Sequence, residues 1–297
     1  MLASVCFEPL YAASRSFFSH HRLPIGLQMG VMGPDFLAAP LATLRQIHAI
    51  GYRSVEVNVA TPDPVLLRKQ LDDVGLACTS AMVSGGSVTL STPDALIEAA
   101  HSLRLTDVVL SALTPPGGFK PTKATDIMAA YVEMTTKLSA DDYLKTAELL
   151  NRQGQALARE GLRLGYHNHN FELRRFGDLS GLEILLSNTD PSAVSFEMDV
   201  GWITAGGVDA VALLSAHPGR FTQMHVKEVA RGTEPNTLMN IVAAPLGKGM
   251  IDWPRVLSAA SAHGIQHFYV EQDPPFTVPR SQMIAEAFGY LSQVRMP

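Results

Sequence analysis

The chain has 297 residues, of which 46% are hydrophobic and 17% are charged, so it can build one large packed core or two small domains. Its formal net charge of −5 offers no basic face for nucleic acid and no polybasic stretch for a lipid surface, which leaves a small molecule as the expected partner. No apolar run approaches the roughly 18 to 20 residues that a membrane-spanning helix needs, so no membrane association is expected.

Residues 1–22 mix Ser, Ala, His and Arg with Phe17 and Phe18 and lack a compact apolar segment followed by a small-residue cleavage site. We therefore predict an irregular, loosely packed N-terminal arm, with a trimmed export signal as the alternative. A single domain is predicted over residues 23–297. Cys6 and Cys78 show neither disulfide-framework nor zinc-ribbon spacing, which favours a reducing cytoplasm.

From Pro24 onward, short β-branched runs alternate with longer helical patterns, and turn residues separate them. This alternation predicts βα units and a parallel sheet. The predicted strands cover residues 24–29, 54–59, 76–83, 107–112, 162–169, 193–198, 221–226 and 267–270. The predicted helices cover residues 39–50, 61–74, 93–103, 125–160, 182–187, 208–216, 253–263 and 282–293. Because no linker divides these pairs and no GxGxxG follows the first strand, we predict one closed (β/α)8 TIM barrel rather than an open doubly wound sheet.

In a barrel of this kind, catalytic groups lie at the C-terminal ends of the strands. Strand five ends with His167 and His169, which the period of two places on the same side of the strand. Strands six, seven and eight end with Asp199, His225 and Glu271. A converging set of imidazoles and carboxylates can accept Mn²⁺, Zn²⁺, Co²⁺, Fe²⁺ or Mg²⁺. The sequence therefore predicts one divalent-metal site on the rim, in preference to a polar rim without metal.

Several motifs of the chain resemble a known family. They are residues 25–28, 51–56, 166–172, 197–199, 225–228, 247–253 and 270–273. From about Pro24 to Leu291, the chain resembles the sugar phosphate isomerase/epimerase family with the xylose-isomerase-like barrel. These motifs are specific for the superfamily and weak for the substrate. The resemblance implies one divalent ion, held by one ligand from each of strands five to eight.

Among these ligands, the resemblance implies Asp199, His225 and Glu271 for strands six to eight. The strand-five position is commonly Glu in relatives, whereas this sequence has His167 there. This departure makes the site less negatively charged, and it leaves His169 or Glu172 as alternative fourth ligands.

Three other residues have two interpretations each. Trp202 stands where many isomerases of this barrel have a substrate-binding His, and its indole is a candidate either for stacking on a sugar ring or for rim packing. Glu56 on strand two is a candidate substrate-binding residue or part of an interior polar ladder. Lys227 is a candidate catalytic residue that neutralises an oxyanion or a substrate acid group, or it forms a salt bridge to Glu228 or Asp199.

Proton abstraction next to a carbonyl is the chemistry that suits these groups. A divalent ion polarises the carbonyl oxygen and stabilises the enediolate. Glu271 is then a candidate for both ligand and base, and His169 and Glu172 are candidate proton carriers. The outcome depends on where the proton returns and on whether a hydroxyl leaves.

The leading function is a metal-dependent isomerase/epimerase of sugars, keto-sugars or sugar phosphates. A dehydratase or lyase using the same site is the nearest alternative. A non-catalytic sugar-binding barrel is less favoured, because the ligand set is intact. An apurinic endonuclease-like phosphodiesterase needs a zinc cluster and a basic groove, and Trp202 and the negative net charge oppose it. A homo-oligomer is consistent with relatives, which often form dimers or tetramers.

Overall fold

Eight parallel strands close into a barrel in the computed structural model of the chain. The structure describes residues 16–83 and 93–296, apart from residues 112, 114, 116, 117, 121 and 123–125. The strands are β1 (Gly26–Gln28), β2 (Ser54–Asn58), β3 (Ala77–Val83), β4 (Asp107–Leu110), β5 (Arg163–His167), β6 (Val194–Asp199), β7 (Phe221–Val226) and β8 (His267–Val270). Each strand pairs with the next, and β8 pairs with β1. The predicted TIM barrel is confirmed.

Helices follow the strands around the barrel. They are α1 (Phe17–His21), α2 (Pro34–Ala38), α3 (Pro40–Ile50), α4 (Pro64–Val74), α5 (Pro93–Leu103), α6 (Ile127–Lys137), α7 (Ala140–Arg159), α8 (Gly181–Asn188), α9 (Val200–Ala205), α10 (Ala210–Ala216), α11 (Trp253–Ala262) and α12 (Arg280–Leu291). The buried hydrophobic side chains form one large cluster. None of the described helices is long and apolar enough to cross a membrane.

Helix boundaries follow local chemistry. Asp63 accepts a hydrogen bond from the backbone N of Leu66 and thereby caps α4, Pro64 is its first residue, and Gly75 ends it at φ 81°. The helix α9 was not predicted from the sequence, because it begins directly after β6 with no loop between them. Asp199 is its N-cap and also the last residue of β6.

The structure describes residues 16–22 of the predicted N-terminal arm, and part of this segment is helical. Phe17 and Phe18 lie in the short helix α1, and both side chains are buried. Their rings contact Phe268 of β8, with ring centroids 5.8 and 5.5 Å away. Apolar burial therefore orders this segment, which a composition rich in polar residues does not indicate. Residues 1–15 of the predicted arm, together with residues 112 and 125 of two predicted elements, lie outside the described residues.

Candidate active site

The C-terminal ends of the strands surround a cavity of about 390 Å³, which lies in the size range of small-molecule sites. Six of the predicted site residues line it: His167, His169, Trp202, His225, Lys227 and Glu271. The other lining residues are Gln28, Gly30, Val31, Met82, Ser111, Gln272, Asp273, Pro274, Phe276 and Arg280. The structure therefore brings most of the predicted site together at one cavity.

Asp199 is fully buried next to two cavity-lining histidines. Its Oδ1 accepts a hydrogen bond from the backbone N of Trp202 at 3.0 Å, which caps α9 and fixes the carboxylate. Its Oδ2 is 2.9 Å from Lys227 Nζ. This oxygen is 3.7 Å from His167 Nε2 and 3.9 Å from His225 Nδ1. Three potential ligand atoms thus converge.

Carboxylates below these histidines orient both rings. His167 Nδ1 is 3.0 Å from Glu197 Oε2, and His225 Nε2 is 2.8 Å from Glu56 Oε2. The opposite nitrogen of each ring therefore faces Asp199, and His225 Nδ1 has no hydrogen-bond partner among the described residues. Metal-binding histidines characteristically use their second nitrogen in this way. The unpartnered Nδ1 of His225 and the mixed N/O donor set fit a divalent cation.

The two histidines differ in protonation. Burial lowers the pKa of His167 well below its usual range, and the nearby His225 lowers it further. The neutral ring has a free lone pair for a cation. Burial also opposes the charge on His225, but Glu197 and Glu56 outweigh it and raise the pKa of His225 to about 10. The neighbouring carboxylates therefore favour the charged form of His225, and a metal ion held by this imidazole would release its proton.

Glu56 lies below the cavity and does not line it. Its Oε1 accepts a hydrogen bond from Ser80 Oγ at 2.7 Å, and its Oε2 is the partner of His225. Burial raises the pKa of the neighbouring Glu197 well above its usual range, and the Glu56 carboxylate adds to this effect. The structure therefore gives Glu56 the position of an interior polar residue, which was the alternative interpretation of its sequence position.

Lys227 is the central cation of the site. Its Nζ is 2.9 Å from Asp199 Oδ2 and 2.7 Å from Asp273 Oδ2, and it also contacts Glu271 Oε2. Burial opposes the charge, but the three carboxylates raise the pKa of Lys227 well above its usual range. The ammonium group also lies 5.0 Å from the ring centroid of Trp202. Of the two salt-bridge partners considered from the sequence, the structure shows Asp199.

Glu271 lines the cavity next to this lysine. Burial raises its pKa to about 7, although the lysine charge opposes the shift. Its Oε2 contacts Lys227 and lies outside the group of potential ligand atoms formed by His167, Asp199 and His225. Of the four predicted ligands, the structure therefore gathers three around one point and places the fourth across the lysine.

His169 and Trp202 form an aromatic wall of the cavity, with ring centroids 5.4 Å apart. Burial lowers the pKa of His169 to about 3, and Lys227 contributes in the same direction. The ring is neutral, and its buried Nδ1 has no hydrogen-bond partner among the described residues. His169 is therefore equipped to exchange hydrogen bonds with a bound molecule.

Glu172 is fully buried and is not among the residues that line the cavity. Its Oε1 accepts a hydrogen bond from Tyr166 Oη at 2.6 Å, and its Oε2 accepts one from the backbone N of His169 at 2.9 Å. Burial raises its pKa to about 7. These contacts place Glu172 under the loop after β5, where it positions His169, rather than beside the predicted metal ligands.

Another buried carboxylate, Glu228, organises one of the sequence motifs. It accepts hydrogen bonds from the backbone N of Val229, Gly247 and Ile251 and from Trp253 Nε1, at distances of 2.9 to 3.2 Å. The motif at residues 247–253 is thus folded around one side chain. Because four donors already bind the Glu228 carboxylate, Lys227 forms its ion pairs with other acids of the site.

Two acids of the site were not predicted from the sequence. Glu197 lies two residues before Asp199, and Asp273 lies two residues after Glu271. Glu197 and Asp199 lie in one strand, where a period of two places them on the same side, and this signal identifies Glu197. Asp273 lies beyond the end of β8, where the period of two does not apply. Asp273 lines the cavity and binds Lys227, and Glu197 orients His167.

Comparison with known proteins identifies the family. A sequence model of the xylose isomerase-like TIM barrel family matches residues 44–294. The chain belongs to this family, as its motifs predicted. An inosose dehydratase from Lactiplantibacillus plantarum is 29% identical over 160 residues, which are 48% of this chain and 51% of that protein. The chain thus matches about half the length of this relative.

Solved structures share the fold over nearly the whole chain. A sugar phosphate isomerase/epimerase from Parabacteroides distasonis superposes with a TM-score of 0.70 and 20% identity, covering 98% of each chain. The 3-keto-D-glucoside 4-epimerase from E. coli superposes with a TM-score of 0.64 and 17% identity, covering 91% of this chain and 98% of that one. At these identities the likeness establishes the shared barrel. Sugar isomerases, epimerases and inosose dehydratases are thus its neighbours.

Proposed function

We propose that the chain is a divalent-metal-dependent isomerase or epimerase of keto-sugars or sugar phosphates that moves a proton at the carbon next to a carbonyl. The observation that carries this proposal is the convergence of His167 Nε2, Asp199 Oδ2 and His225 Nδ1 beside the cavity. In both histidines the other ring nitrogen contacts a carboxylate, an arrangement that fits metal binding. When bound, a divalent ion supplies Lewis-acid stabilisation of the charge that develops on the substrate oxygen.

The three converging residues would hold the ion, and we propose Glu271 as the fourth ligand. The ammonium of Lys227 already pairs with the carboxylates of Asp199 and Glu271. A bound cation would therefore share the negative charge of each carboxylate with this lysine. The set accommodates Mn²⁺, Zn²⁺, Co²⁺, Fe²⁺ or Mg²⁺, since it combines imidazole and carboxylate donors.

Glu271 and His169 are the proposed proton carriers. Both line the cavity, and a carboxylate and a neutral imidazole can each accept and return a proton. The neutral His169 offers Nδ1 to a substrate hydroxyl, while Glu172 positions it from below through its backbone N. Trp202 contributes an apolar wall against which a sugar can pack.

Dehydration is the second candidate outcome, and the inosose dehydratase relatives favour it. Loss of a hydroxyl needs a group that gives a proton to the leaving oxygen. Glu271, a proposed proton carrier that lines the cavity, would supply that proton. Lys227 also lines the cavity, and because its raised pKa keeps it charged, it is suited to neutralising a developing oxyanion. Product analysis separates the outcomes, because a dehydratase forms a product one water lighter and an epimerase does not.

The test compares metal content in the wild type and in Asp199→Asn and Asp209→Asn. Both aspartates cap a helix through Oδ1, but Asp209 lies on the exterior, where it pairs with Arg255. Asparagine keeps the oxygen that caps the helix, so both variants should fold, and circular dichroism checks this. We expect about one ion per chain in the wild type and Asp209→Asn, and none in Asp199→Asn.

Solvent-deuterium exchange into a panel of keto-sugars provides the second readout. Deuterium should enter the carbon next to the carbonyl with the loaded wild type and Asp209→Asn, and not with Asp199→Asn. An ion that remains in folded Asp199→Asn, or a wild type that binds no ion, would contradict the proposed metal site. Loaded protein that exchanges no substrate carbon would instead support a binding barrel.

A further inference from the structure

Arg280 lines the same cavity, and its charge is unbalanced among the described residues. It forms no ion pair with an acid of the described ranges, and its Nε is buried without a hydrogen-bond partner. Lys227, the other permanent cation of the lining, is bound by Asp199, Glu271 and Asp273. Of these two permanent cations, Lys227 is therefore neutralised by acids and Arg280 is available to a ligand.

The guanidinium group of Arg280 lies against an aromatic ring and close to a glycine. Its Cζ lies 4.4 Å from the centroid of the Phe276 ring, and that ring also lines the cavity. Gly33 is close enough that a Cβ added to it would lie 3.5 Å from Arg280 Nη2. Neither contact uses the N–H donors, so the fork is oriented while its hydrogen-bonding capacity remains available.

A second donor lies in the same lining. Gln28 Oε1 accepts a hydrogen bond from the backbone N of Gly30 at 2.6 Å, which turns the amide so that Nε2 is its remaining polar group. Both Gln28 and Arg280 line the cavity. Amide and guanidinium donors that form no ion pair with an acid are a suitable arrangement for an oxyanion.

We propose that Arg280 binds an anionic group of the substrate, a carboxylate or a phosphate, and so determines substrate specificity. The inference rests on the proposed function. In that function the carbonyl end of the sugar meets the metal and the proton-transfer residues, and Arg280 would bind the other end. The substrate class is then acidic keto-sugars rather than neutral ones. A guanidinium fork matches both kinds of anion through paired N–H donors.

The test uses three ketoses that share a skeleton and differ at C6: D-fructose, D-fructuronate and D-fructose 6-phosphate. Deuterium exchange next to the carbonyl gives kcat and KM for each with the metal-loaded wild type, Arg280→Gln, Arg280→Lys and Arg255→Gln. Arg255 is the matched control, since it is an exterior arginine that pairs with Asp209. Isothermal titration of the same three sugars measures binding without turnover.

We expect the wild type and Arg255→Gln to prefer one of the two acidic sugars. Arg280→Gln should raise KM for that sugar by roughly 10- to 100-fold, the range expected for losing hydrogen bonds to a charged group, with kcat and the reaction of D-fructose little changed. Arg280→Lys should recover part of the loss. A preference for fructuronate identifies the anion as a carboxylate, and a preference for fructose 6-phosphate identifies it as a phosphate.

Two negative outcomes have different meanings. If the wild type exchanges D-fructose at least as well as both acidic sugars, or if Arg280→Gln keeps the acid preference, the role of Arg280 is overturned while the proposed function stands. If no sugar binds or exchanges although the metal is present, the proposed function fails, and the inference fails with it.

Discussion

Six acids of this protein form two groups that differ in what neutralises them. The lysine-bound acids are Asp199, Glu271 and Asp273, and the sealed carboxylates are Glu56, Glu172 and Glu228. The first group shares the single ammonium of Lys227, which contacts one oxygen of each acid. In the second group, hydroxyl, imidazole, indole or backbone donors fix both oxygens of each residue.

This difference separates structural acids from acids that can take a ligand. A carboxylate with a donor at each oxygen is fixed in position and is poorly available to a cation. Acids that share one ammonium retain oxygen atoms for another positive charge, because the three N–H donors of one lysine cannot satisfy every oxygen atom of three carboxylates. Burial alone therefore does not identify the functional acids of this barrel, because Asp199 is as buried as the sealed carboxylates.

Removing the shared cation should have the largest effect. Lys227→Met leaves three neighbouring carboxylates without their counterion, so we expect the free energy of unfolding to fall by about 3–5 kcal/mol, the cost of breaking a buried ion pair. Chemical denaturation of the metal-free protein measures it. Lys145→Met is the control, because Lys145 pairs with Asp141 on the surface, where the loss of an ion pair should change the free energy of unfolding far less. Equal effects of the two substitutions would contradict the comparison.

A sealed carboxylate should instead change how the free energy of unfolding depends on pH. Burial raises the pKa of Glu172 from 4.5 to about 7, so between these values the folded protein retains a proton that the unfolded chain releases. The contribution of Glu172 to stability is therefore present below pH 4.5 and is lost as pH rises to about 7. Relative to the wild type, Glu172→Gln should gain about 3 kcal/mol of unfolding free energy between pH 4.5 and 7.5.

Glu183→Gln provides a control of opposite sign. Although burial opposes it, Ser180 lowers the pKa of Glu183 through hydrogen bonds to the carboxylate. The wild type should therefore gain stability over this variant as pH rises through the lowered pKa and the ordinary value. Denaturation curves of both variants at several pH values measure the two slopes. Parallel pH profiles for the wild type and Glu172→Gln would show that its sealed environment does not hold the proton.

The barrel and the residues of its rim could be predicted from the sequence, because alternation of strands and helices sets the fold and strand ends set the rim. His167, Asp199 and His225 follow from that rule and come together in the structure. The depth of Glu56 could not be predicted, since a period of two gives the side of a strand and not the layer of the barrel. Strand tilt and stagger decide which layers meet.

The partners of individual atoms were also beyond the sequence. Lys227 was considered with Glu228 as a neighbour in sequence, yet Glu228 turns to the backbone of residues 247–251 and to Trp253. The lysine instead meets Asp273 from the next strand end. Such pairings depend on packing between distant segments, which local patterns do not encode.

Ser80 offers the smallest and most local test of the sealed group. Its Oγ donates to Glu56 Oε1 at 2.7 Å in the fully buried layer below His225. Ser80→Ala should lower the free energy of unfolding by about 1–3 kcal/mol, because it leaves that oxygen buried without a donor. Ser258→Ala is the matched control, since the buried Oγ of Ser258 has no hydrogen-bond partner among the described residues. Its removal should cost little, so equal losses in the two variants would mean that the hydroxyl does not hold Glu56 in place.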